Sequence, residues 1–403
     1  MRVALIGCGF MGQRHVRGLG RLHDIGYGGI ELAAVCDADG VRAAEAADLA
    51  HSLTGTRPAI LSAGEVLAGG TGIEGALVVT PPADHETTVG AALEAGLHVL
   101  VEKPISITVG SGSRIIARAA AAGRLLAVAE NYRRDPINRL ARALLDAGAV
   151  GTVYRAEQSS TGRGGQIAIS VWRHRKVSGG ILVDMGVHYG DILQYLVGPL
   201  DTLTGLSRRI EDSRQDAQGQ WHEVDSEDVC LGLATTVSGA LVQWSMDYAA
   251  RDERLFRRVV YGTEGTLHLP HDRSGEALRL FREVEGTVRE LDQADLMGLV
   301  PDFHTDGVTA ALFGGDRLAN YELPFPVIDA NLLAIEQADF ADAVKEGRLP
   351  EVTGEIGLSA LAVAYGWFEA AELGRAIRVA EVIERGGPYQ AAIDANLAST
   401  EMV

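Results

Sequence analysis

The chain has 403 residues, of which 47% are hydrophobic and 22% are charged, and its formal net charge is −18. This composition is typical of a globular protein with more than one domain, and the acidic balance argues against binding to nucleic-acid backbones. Three scattered cysteines form neither a disulfide framework nor a metal-ligand spacing, which favours a reducing, cytoplasmic environment. No segment approaches the roughly 20 apolar residues of a membrane-spanning helix.

The first third of the chain alternates short apolar runs with helical stretches. Because the apolar runs lack polar alternation, they predict strands buried on both faces, as in a doubly wound parallel sheet. The predicted strands cover residues 2–6, 31–36, 58–61, 76–79, 98–101 and 125–129. The predicted helices cover residues 10–22, 41–53, a short stretch from 62, 84–95 and 109–122.

The pattern changes near residue 130. We predict a Rossmann domain over 1–131, an α+β domain with a large, mostly antiparallel open sheet over 132–386, and a tail over 387–403 that is mobile or an interface arm. Helices are predicted at 138–147, 179–196, 328–346 and 355–382, and a strand at 152–159. Hairpins are predicted around Ser238-Gly239, Glu264-Gly265 and Glu285-Gly286, where glycine suits a reversal with positive φ. The polar stretch Ile210–Asp228 reads as a surface loop or an irregular insertion.

A glycine-rich turn follows the first predicted strand. In the run Gly7-Cys8-Gly9-Phe10-Met11-Gly12, the first glycine permits a tight turn, the second lets backbone N–H groups approach a pyrophosphate, and the third lets the helix pack against the strand. Directly after an apolar strand, this turn predicts a dinucleotide site that includes Phe10 and Met11.

Other candidate cofactor contacts lie where later strands end. Asp37 ends the second strand, where a carboxylate commonly binds the adenosine ribose and repels a 2′-phosphate, so NAD is favoured over NADP. A helix N-cap is the alternative role for Asp37. Thr80 and Pro81 end the fourth strand, and His85 follows either as a ligand contact or as a structural loop histidine.

Lys103 follows the fifth strand, and Asp184 and His188 lie four residues apart on a predicted helix, hence on one face. Lysine and histidine can exchange the proton of a reacting hydroxyl, and the aspartate would orient the hydroxyl or the imidazole. Asp184 and His188 could instead ligate zinc or form a structural pair, but no further ligands are evident nearby, so we predict no metal.

Two further segments are candidate substrate contacts. Asn131 and Tyr132 follow the last strand of the first domain, at the predicted junction. Trp172 and Arg173 precede the helix with Asp184; they suit a polyhydroxylated or anionic substrate, or they form a basic loop that packs against the acidic remainder.

Together these motifs resemble the glucose–fructose oxidoreductase / inositol dehydrogenase / MocA-like (Gfo/Idh/MocA) family. The matching pieces are Gly7–Gly12, Thr80-Pro81-Pro82 with His85, the run 95–104 that ends in Glu102-Lys103-Pro104, Asn131-Tyr132-Arg133, and Gly179-Gly180 with Asp184, Gly186 and His188. The resemblance implies that Lys103, Asp184 and His188 are catalytic and that Glu102 lies near the nicotinamide ribose. It also implies sugar, inositol or glycoside substrates, and homodimers or homotetramers formed through the C-terminal sheet.

The main hypothesis is NAD-dependent oxidation of a secondary alcohol, or the reverse reduction. One alternative is a redox-recycling enzyme that cleaves a glycoside without net oxidation. The other is a non-catalytic dinucleotide-binding sensor, against which the Lys103–Asp184–His188 set argues because a sensor needs no proton transfer.

Overall fold

The computed structural model describes residues 1–68, 70–251 and 253–400. The N-terminal strands are β1 (Arg2–Ile6), β2 (Glu31–Cys36), β3 (Ala59–Ile60), β4 (Gly75–Val78), β5 (His98–Glu102) and β6 (Leu126–Ala129). The helices that alternate with them are α1 (Phe10–Asp24), α2 (Gly40–Thr54), α3 (Ala63–Leu67), α4 (His85–Glu94) and α5 (Val109–Ala122).

These strands form a parallel sheet in the order β3-β2-β1-β4-β5-β6. All four residues of β4 and four of the five in β1 and in β5 are buried, as expected for strands covered by helices on both faces. The prediction of a doubly wound Rossmann sheet is therefore confirmed. Because β1, β4 and β5 are neighbours, their carboxyl ends bring Gly7, Thr80 and Lys103 to one edge of the sheet.

The remaining strands are β7 (Val153–Thr161), β8 (Leu200–Arg208), β9 (Ser213–Gln215), β10 (Trp221–Glu223), β11 (Val229–Thr236), β12 (Leu241–Asp247), β13 (Phe256–Gly262), β14 (Gly265–Leu269), β15 (Arg279–Val284), β16 (Thr287–Glu290) and β17 (Ile377–Arg378). The remaining helices are α6 (Pro136–Asp146), α7 (Gly180–Val197), α8 (Gln293–Gly298), α9 (Gly307–Phe313), α10 (Phe325–Glu346), α11 (Gly354–Leu373), α12 (Val379–Arg385) and α13 (Pro388–Thr400).

The large sheet has the order β16-β15-β14-β13-β7-β12-β11-β8-β17. Its strands pair antiparallel except for β7 and β12, so the predicted mostly antiparallel sheet is confirmed. Gly205 and Gly232 lie opposite each other on β8 and β11. A Cβ at Gly205 would lie 2.4 Å from the Trp367 carbonyl oxygen, and one at Gly232 would lie 2.5 Å from the Trp367 ring. The paired glycines thus let α11 pack directly on the sheet.

Helix α10 packs on α1 of the Rossmann sheet, so late chain segments cover the first domain. Tyr27 donates a hydrogen bond of 2.8 Å to Asp342, and Arg21 donates one of 2.9 Å to Asn331. A Cβ at Gly18 would lie 3.1 Å from the Ala334 nitrogen, which shows how closely the helices approach. The division into domains at residue 131 stays a prediction.

Several sequence predictions differ from the structure. The helix predicted over 355–382 ends before Gly374, which adopts a left-handed conformation, and β17 and α12 follow. Residues 388–400 of the predicted tail form α13, which packs on α11 and buries Tyr389 and Ile393. Gly265 lacks the positive φ expected of it because it already belongs to β14, whereas Gly239 and Gly286 have φ of +93° and +76°.

The stretch Ile210–Asp228 is also more regular than predicted. It contains the hairpin β9–β10, in which Trp221 pairs with Gln215 and Glu223 with Ser213. Among the described residues, no helix has the length and apolar character required to cross a membrane.

Candidate functional site

The turn between β1 and α1 has the shape that a dinucleotide pyrophosphate requires. Gly7 has φ of +100°, and a Cβ there would lie 2.5 Å from the Val79 carbonyl oxygen. A Cβ at Gly12 would lie 2.1 Å from the Gly7 oxygen, whereas one at Gly9 would meet no atom of the described chain within 4 Å. Gly9 is the N-cap of α1, and no described side chain bonds to this cap. The amino end of α1 is therefore open at Gly9 and has no side-chain cap among the described residues, and this turn fits NAD.

Asp37 lies beside this turn. Its carboxylate accepts a hydrogen bond of 2.7 Å from the Cys8 N–H and one of 2.8 Å from the Asp39 N–H. The N-cap of α2 is Asp39, whose side chain accepts from Val41, so the N-cap alternative for Asp37 is wrong. Asp37 is instead a partly buried carboxylate fixed next to the glycine turn, and Arg42 pairs with Asp39 at 3.5 Å.

The carboxyl end of β4 contributes one unpaired polar atom. Thr80 Oγ1 is buried and has no hydrogen-bond partner among the described residues. His85 is completely buried, with Nε2 2.9 Å from the Thr80 oxygen and Nδ1 3.0 Å from the Pro104 oxygen. His85 therefore links the segments that follow β4 and β5. This position supports the structural role for His85 rather than a contact with the cofactor. Pro81 is exposed immediately after Thr80.

Lys103, which directly follows β5, contacts Asp184 on helix α7. The Lys103 ammonium donates to the Asp184 carboxylate and to its backbone oxygen, each at 2.9 Å. Arg173 Nε donates to the other carboxylate oxygen at 3.1 Å. Burial alone would raise the pKa of Asp184, but the charges of Lys103 and Arg173 lower it to about 2. Asp184 is thus an ionised group that bonds two cations, Lys103 and Arg173.

His188 lies one helical turn after Asp184 on α7, and its partner is Glu130. His188 Nδ1 lies 2.8 Å from both Glu130 carboxylate oxygens, and Glu130 also accepts from the Tyr132 N–H at 3.0 Å. Burial would raise the pKa of Glu130, but His188 and the Tyr132 N–H lower it, so the carboxylate accepts and Nδ1–H donates. Glu130, rather than Asp184, therefore orients the imidazole through Nδ1, and Nε2 is the ring nitrogen that this contact does not use.

The imidazole is buried between charged and aromatic groups. It stacks on Tyr132 with ring centroids 4.1 Å apart and an interplanar angle of 5°. Burial lowers the pKa of His188, the Glu130 charge opposes that shift, and the Lys103 charge adds to it. The net lowering favours the neutral imidazole that a general base requires.

The other predicted site residues differ in burial and in hydrogen bonding. Asn131 Oδ1 is buried without a hydrogen-bond partner in the described part of the chain, whereas the Tyr132 hydroxyl accepts from Arg273 at 3.2 Å. Glu102 is buried behind Lys103, 3.0 Å from His15 Nε2. Trp172 is 37% exposed, and its ring lies 4.3 Å from the Arg173 guanidinium.

Phe10 is 69% exposed at the start of α1. Met11 Sδ contacts the Arg14 guanidinium at 2.8 Å. Both residues thus stand at the cofactor turn, as their place in the motif requires.

The sequence interpretation missed Glu130 as a site residue. The one available signal was its position directly after β6, where strand ends gather at the ligand-binding edge.

Comparison with protein families agrees with this geometry. Residues 1–130 match the oxidoreductase family with an NAD-binding Rossmann fold, and residues 138–268 match the Gfo/Idh/MocA C-terminal domain. The chain belongs to the Gfo/Idh/MocA oxidoreductase family. The predicted oxidoreductase class and the predicted NAD cofactor are thereby confirmed.

The relatives of this Gfo/Idh/MocA chain are named as dehydrogenases of sugars and inositols. It is 28% identical over 387 residues to D-apiose dehydrogenase of Paraburkholderia graminis, covering 93% of this chain and 89% of the relative. It is 35% identical over 276 residues to inositol 2-dehydrogenase 3 of Saccharopolyspora erythraea, covering 67% and 73%.

Solved structures share the fold. An NAD-binding oxidoreductase from Klebsiella pneumoniae has a TM-score of 0.77 at 23% identity, over 94% of this chain and 99% of the other. Levoglucosan dehydrogenase in complex with NADH and levoglucosan also has a TM-score of 0.77, at 21% identity over 94% and 99%.

Proposed function

We propose that this protein is an NAD-dependent dehydrogenase, or reductase, of a secondary alcohol on a sugar, inositol or glycoside. The observation that carries the proposal is the pairing of Lys103 with Asp184 beside the pairing of His188 with Glu130. These two pairs hold a protonated amine and a neutral imidazole in one cleft, next to the carboxyl edge of the dinucleotide-binding sheet.

Each residue has a distinct role in this proposal. NAD, when bound, supplies the hydride acceptor for oxidation. His188 Nε2 takes the hydroxyl proton, and Glu130 stabilises the imidazolium that results. Lys103 Nζ donates a hydrogen bond to the substrate oxygen and stabilises its developing negative charge. Asp184 keeps Lys103 oriented toward the cleft.

The charges of the site support a neutral polyhydroxylated substrate. Lys103 and Arg173 both bond Asp184, and Glu130 bonds His188. The charges of these two cations and two carboxylates therefore balance before a ligand binds. None of the four groups is left to neutralise a carboxylate on the substrate. Arg173 and Trp172 stand at the exposed side of this cluster, where we propose that they contact substrate hydroxyls.

Asp37 supports a preference for NAD over NADP. Its ionisable carboxyl lies at the end of β2 beside the cofactor turn, where it can accept bonds from ribose hydroxyls. A 2′-phosphate at the same place would meet a like charge.

The open sheet supports assembly into a homodimer or homotetramer. Leu206 on β8 lies opposite Leu231 on β11, and both are exposed, at 74% and 48%. Leu233 and Leu241 extend the patch, and a solvent-facing apolar surface of this kind marks a protein contact.

The test is release of NADH when the purified protein is mixed with NAD and a panel of sugars, inositols and glycosides. We expect NADH in proportion to substrate consumed. Cleavage of a glycoside without net NADH would indicate redox recycling instead. NAD binding without conversion of any panel member would favour a sensor.

A further inference from the structure

Arg173, which contacts Asp184 from the exposed side, belongs to a long loop. We define the site loop as residues 163–178; it carries Trp172 and Arg173 and contains two short 3₁₀ turns, Val171–His174 and Lys176–Ser178. Within the loop, Arg173 also donates to Ser170 Oγ at 2.7 Å. The position of the Arg173 guanidinium opposite Asp184 therefore depends on how the whole loop is held.

The stretch Ile210–Asp228, which the catalytic proposal leaves without a role, is bonded to both ends of the site loop. We call this stretch the brace. At the first end, Gln215 on β9 accepts from the Ile167 N–H and donates to the Gly165 oxygen, each at 2.8 Å. Glu211 accepts from the Gly165 N–H at 2.8 Å. The first end of the loop is thus paired with the brace like an added strand.

At the second end, the brace holds the residues that directly follow Arg173. The Asp225 and Ser226 N–H groups donate to the His174 oxygen at 3.2 and 3.3 Å. The Asp225 carboxylate accepts from the Lys176 N–H at 2.7 Å and pairs with Arg175 at 3.2 Å. Asp225 therefore fixes the backbone on the carboxyl side of Arg173.

Arg214 ties the brace to the rest of the molecule. It is 1% exposed and donates to Asp228 at 3.1 Å, to the Tyr248 oxygen at 3.0 Å and to the Gln166 oxygen at 3.2 Å. Glu211 adds a second carboxylate at 3.1 Å. This buried arginine spans β9, the end of β12 and the site loop, so the brace is a fixed support rather than a free surface loop.

We propose that the brace positions Arg173 for substrate binding, with Arg214 as its anchor and Asp225 as its positioning residue on the site loop. This inference rests on the proposed function and deepens it, because it assigns the support of the substrate side of the cleft to a segment outside the catalytic set. Holding the loop in one conformation before binding removes the ordering cost from each binding event.

Asp225 is the better residue for a test, because replacing Arg214 removes the buried guanidinium that Glu211 and Asp228 share, which endangers folding. The Asp225 side chain is 40% exposed, so Asp225→Ala removes its side-chain contacts with Lys176 and Arg175 while the main-chain bonds to His174 remain. Asp212→Ala is the matched control: Asp212 is an acid of the same brace, 84% exposed, and its side chain pairs with Arg209.

The first measurement is hydrogen–deuterium exchange of the cofactor-free protein, which does not depend on turnover. We expect faster exchange across the site loop in Asp225→Ala, and wild-type exchange in Asp212→Ala and in α7. Equal exchange of the loop in all three proteins would overturn the proposal. Faster loop exchange together with no conversion of any polyol would reject the proposed dehydrogenase function while leaving the support role of the brace intact.

The second measurement separates positioning from general damage. With a converted substrate, we expect Asp225→Ala to raise KM by about tenfold, as for loss of one charge-assisted hydrogen bond, with the Kd for NAD unchanged. In an Arg173→Ala background, Asp225→Ala should have no further effect on KM. Full additivity of the two effects would show that the brace does not act through Arg173 and would contradict the inference.

Discussion

Glu130 fixes His188 through Nδ1, which lies 2.8 Å from both carboxylate oxygens. The two residues come from the end of β6 and from α7, 58 positions apart in the chain. This contact decides which imidazole nitrogen is left for a substrate, and it places a negative charge where the imidazolium would form. It therefore links the carboxyl edge of the Rossmann sheet to the helix that carries Asp184.

Glu130→Gln is expected to lower turnover by about 100-fold, because a neutral amide no longer stabilises the imidazolium. The Glu130 charge raises the pKa of His188 against the effect of burial, so its removal lowers that pKa further. The base must be neutral to act, and kcat/KM for oxidation therefore falls as pH drops through this pKa. In Glu130→Gln the acid limb of the pH profile should move to lower pH; a shift to higher pH would reject the role of Glu130.

Gly9→Ala and Gly12→Ala should fail in different ways. A Cβ at Gly9 meets nothing of the described chain within 4 Å, whereas one at Gly12 lies 2.1 Å from the Gly7 oxygen. We expect Gly9→Ala to keep the wild-type unfolding temperature but to bind NAD more weakly, because its methyl group occupies the space of the pyrophosphate. Gly12→Ala should lower the unfolding temperature itself. Calorimetry with and without NAD checks both results; full NAD affinity in Gly9→Ala would place the cofactor elsewhere.

Asp37→Asn is expected to weaken discrimination against NADP by about tenfold or more, because it removes the charge that repels a 2′-phosphate. The amide keeps an oxygen that can accept the Cys8 N–H. Asp39→Asn is the control, since Asp39 is the N-cap of α2 and an asparagine caps equally well. Titration of each variant with NAD and NADP gives the ratio of Kd values. An unchanged ratio in Asp37→Asn would exclude Asp37 as the selecting residue.

Leu231→Glu should dissociate the proposed oligomer. The substitution places a charge within the exposed apolar patch, opposite Leu206. Leu349→Glu serves as the control because Leu349 is 77% exposed and lies outside the large sheet. Light scattering after size exclusion reports the mass: wild type and Leu349→Glu should remain dimers or tetramers while Leu231→Glu becomes a monomer. A monomeric wild type would contradict the proposed assembly.

The elements that the sequence predicted well are those whose signals are local. The glycine spacing of the Gly7–Gly12 turn and the apolar runs around it predict local conformation without reference to distant residues. The structure forms the predicted Rossmann sheet from these segments. The common placement of Asp184 and His188 was also predictable, because residues four positions apart lie on one face of a helix.

The features that escaped prediction depend on contacts between distant segments. Apart from its place directly after a predicted strand, nothing in the sequence distinguishes Glu130 from the other acidic residues, because its contact with His188 forms only when α7 packs beside the end of β6. The sequence of the brace has no apolar alternation that would predict strands. Its regular structure depends on the buried Arg214–Asp228 pair, which forms only in the folded chain. The helix at 388–400 is fixed from outside: buried Glu369 on α11 accepts from the Tyr389 and Gln390 N–H groups, each at 3.0 Å.

The most direct test of the catalytic proposal is single-turnover oxidation of a converted sugar or cyclitol by Lys103→Met and His188→Asn, with NAD binding measured on the same samples. If His188 takes the proton of the reacting hydroxyl and Lys103 stabilises the charge on its oxygen, each variant binds NAD with wild-type Kd and forms NADH slower by about 1,000-fold. NADH formation at the wild-type rate in either variant would contradict the assignment.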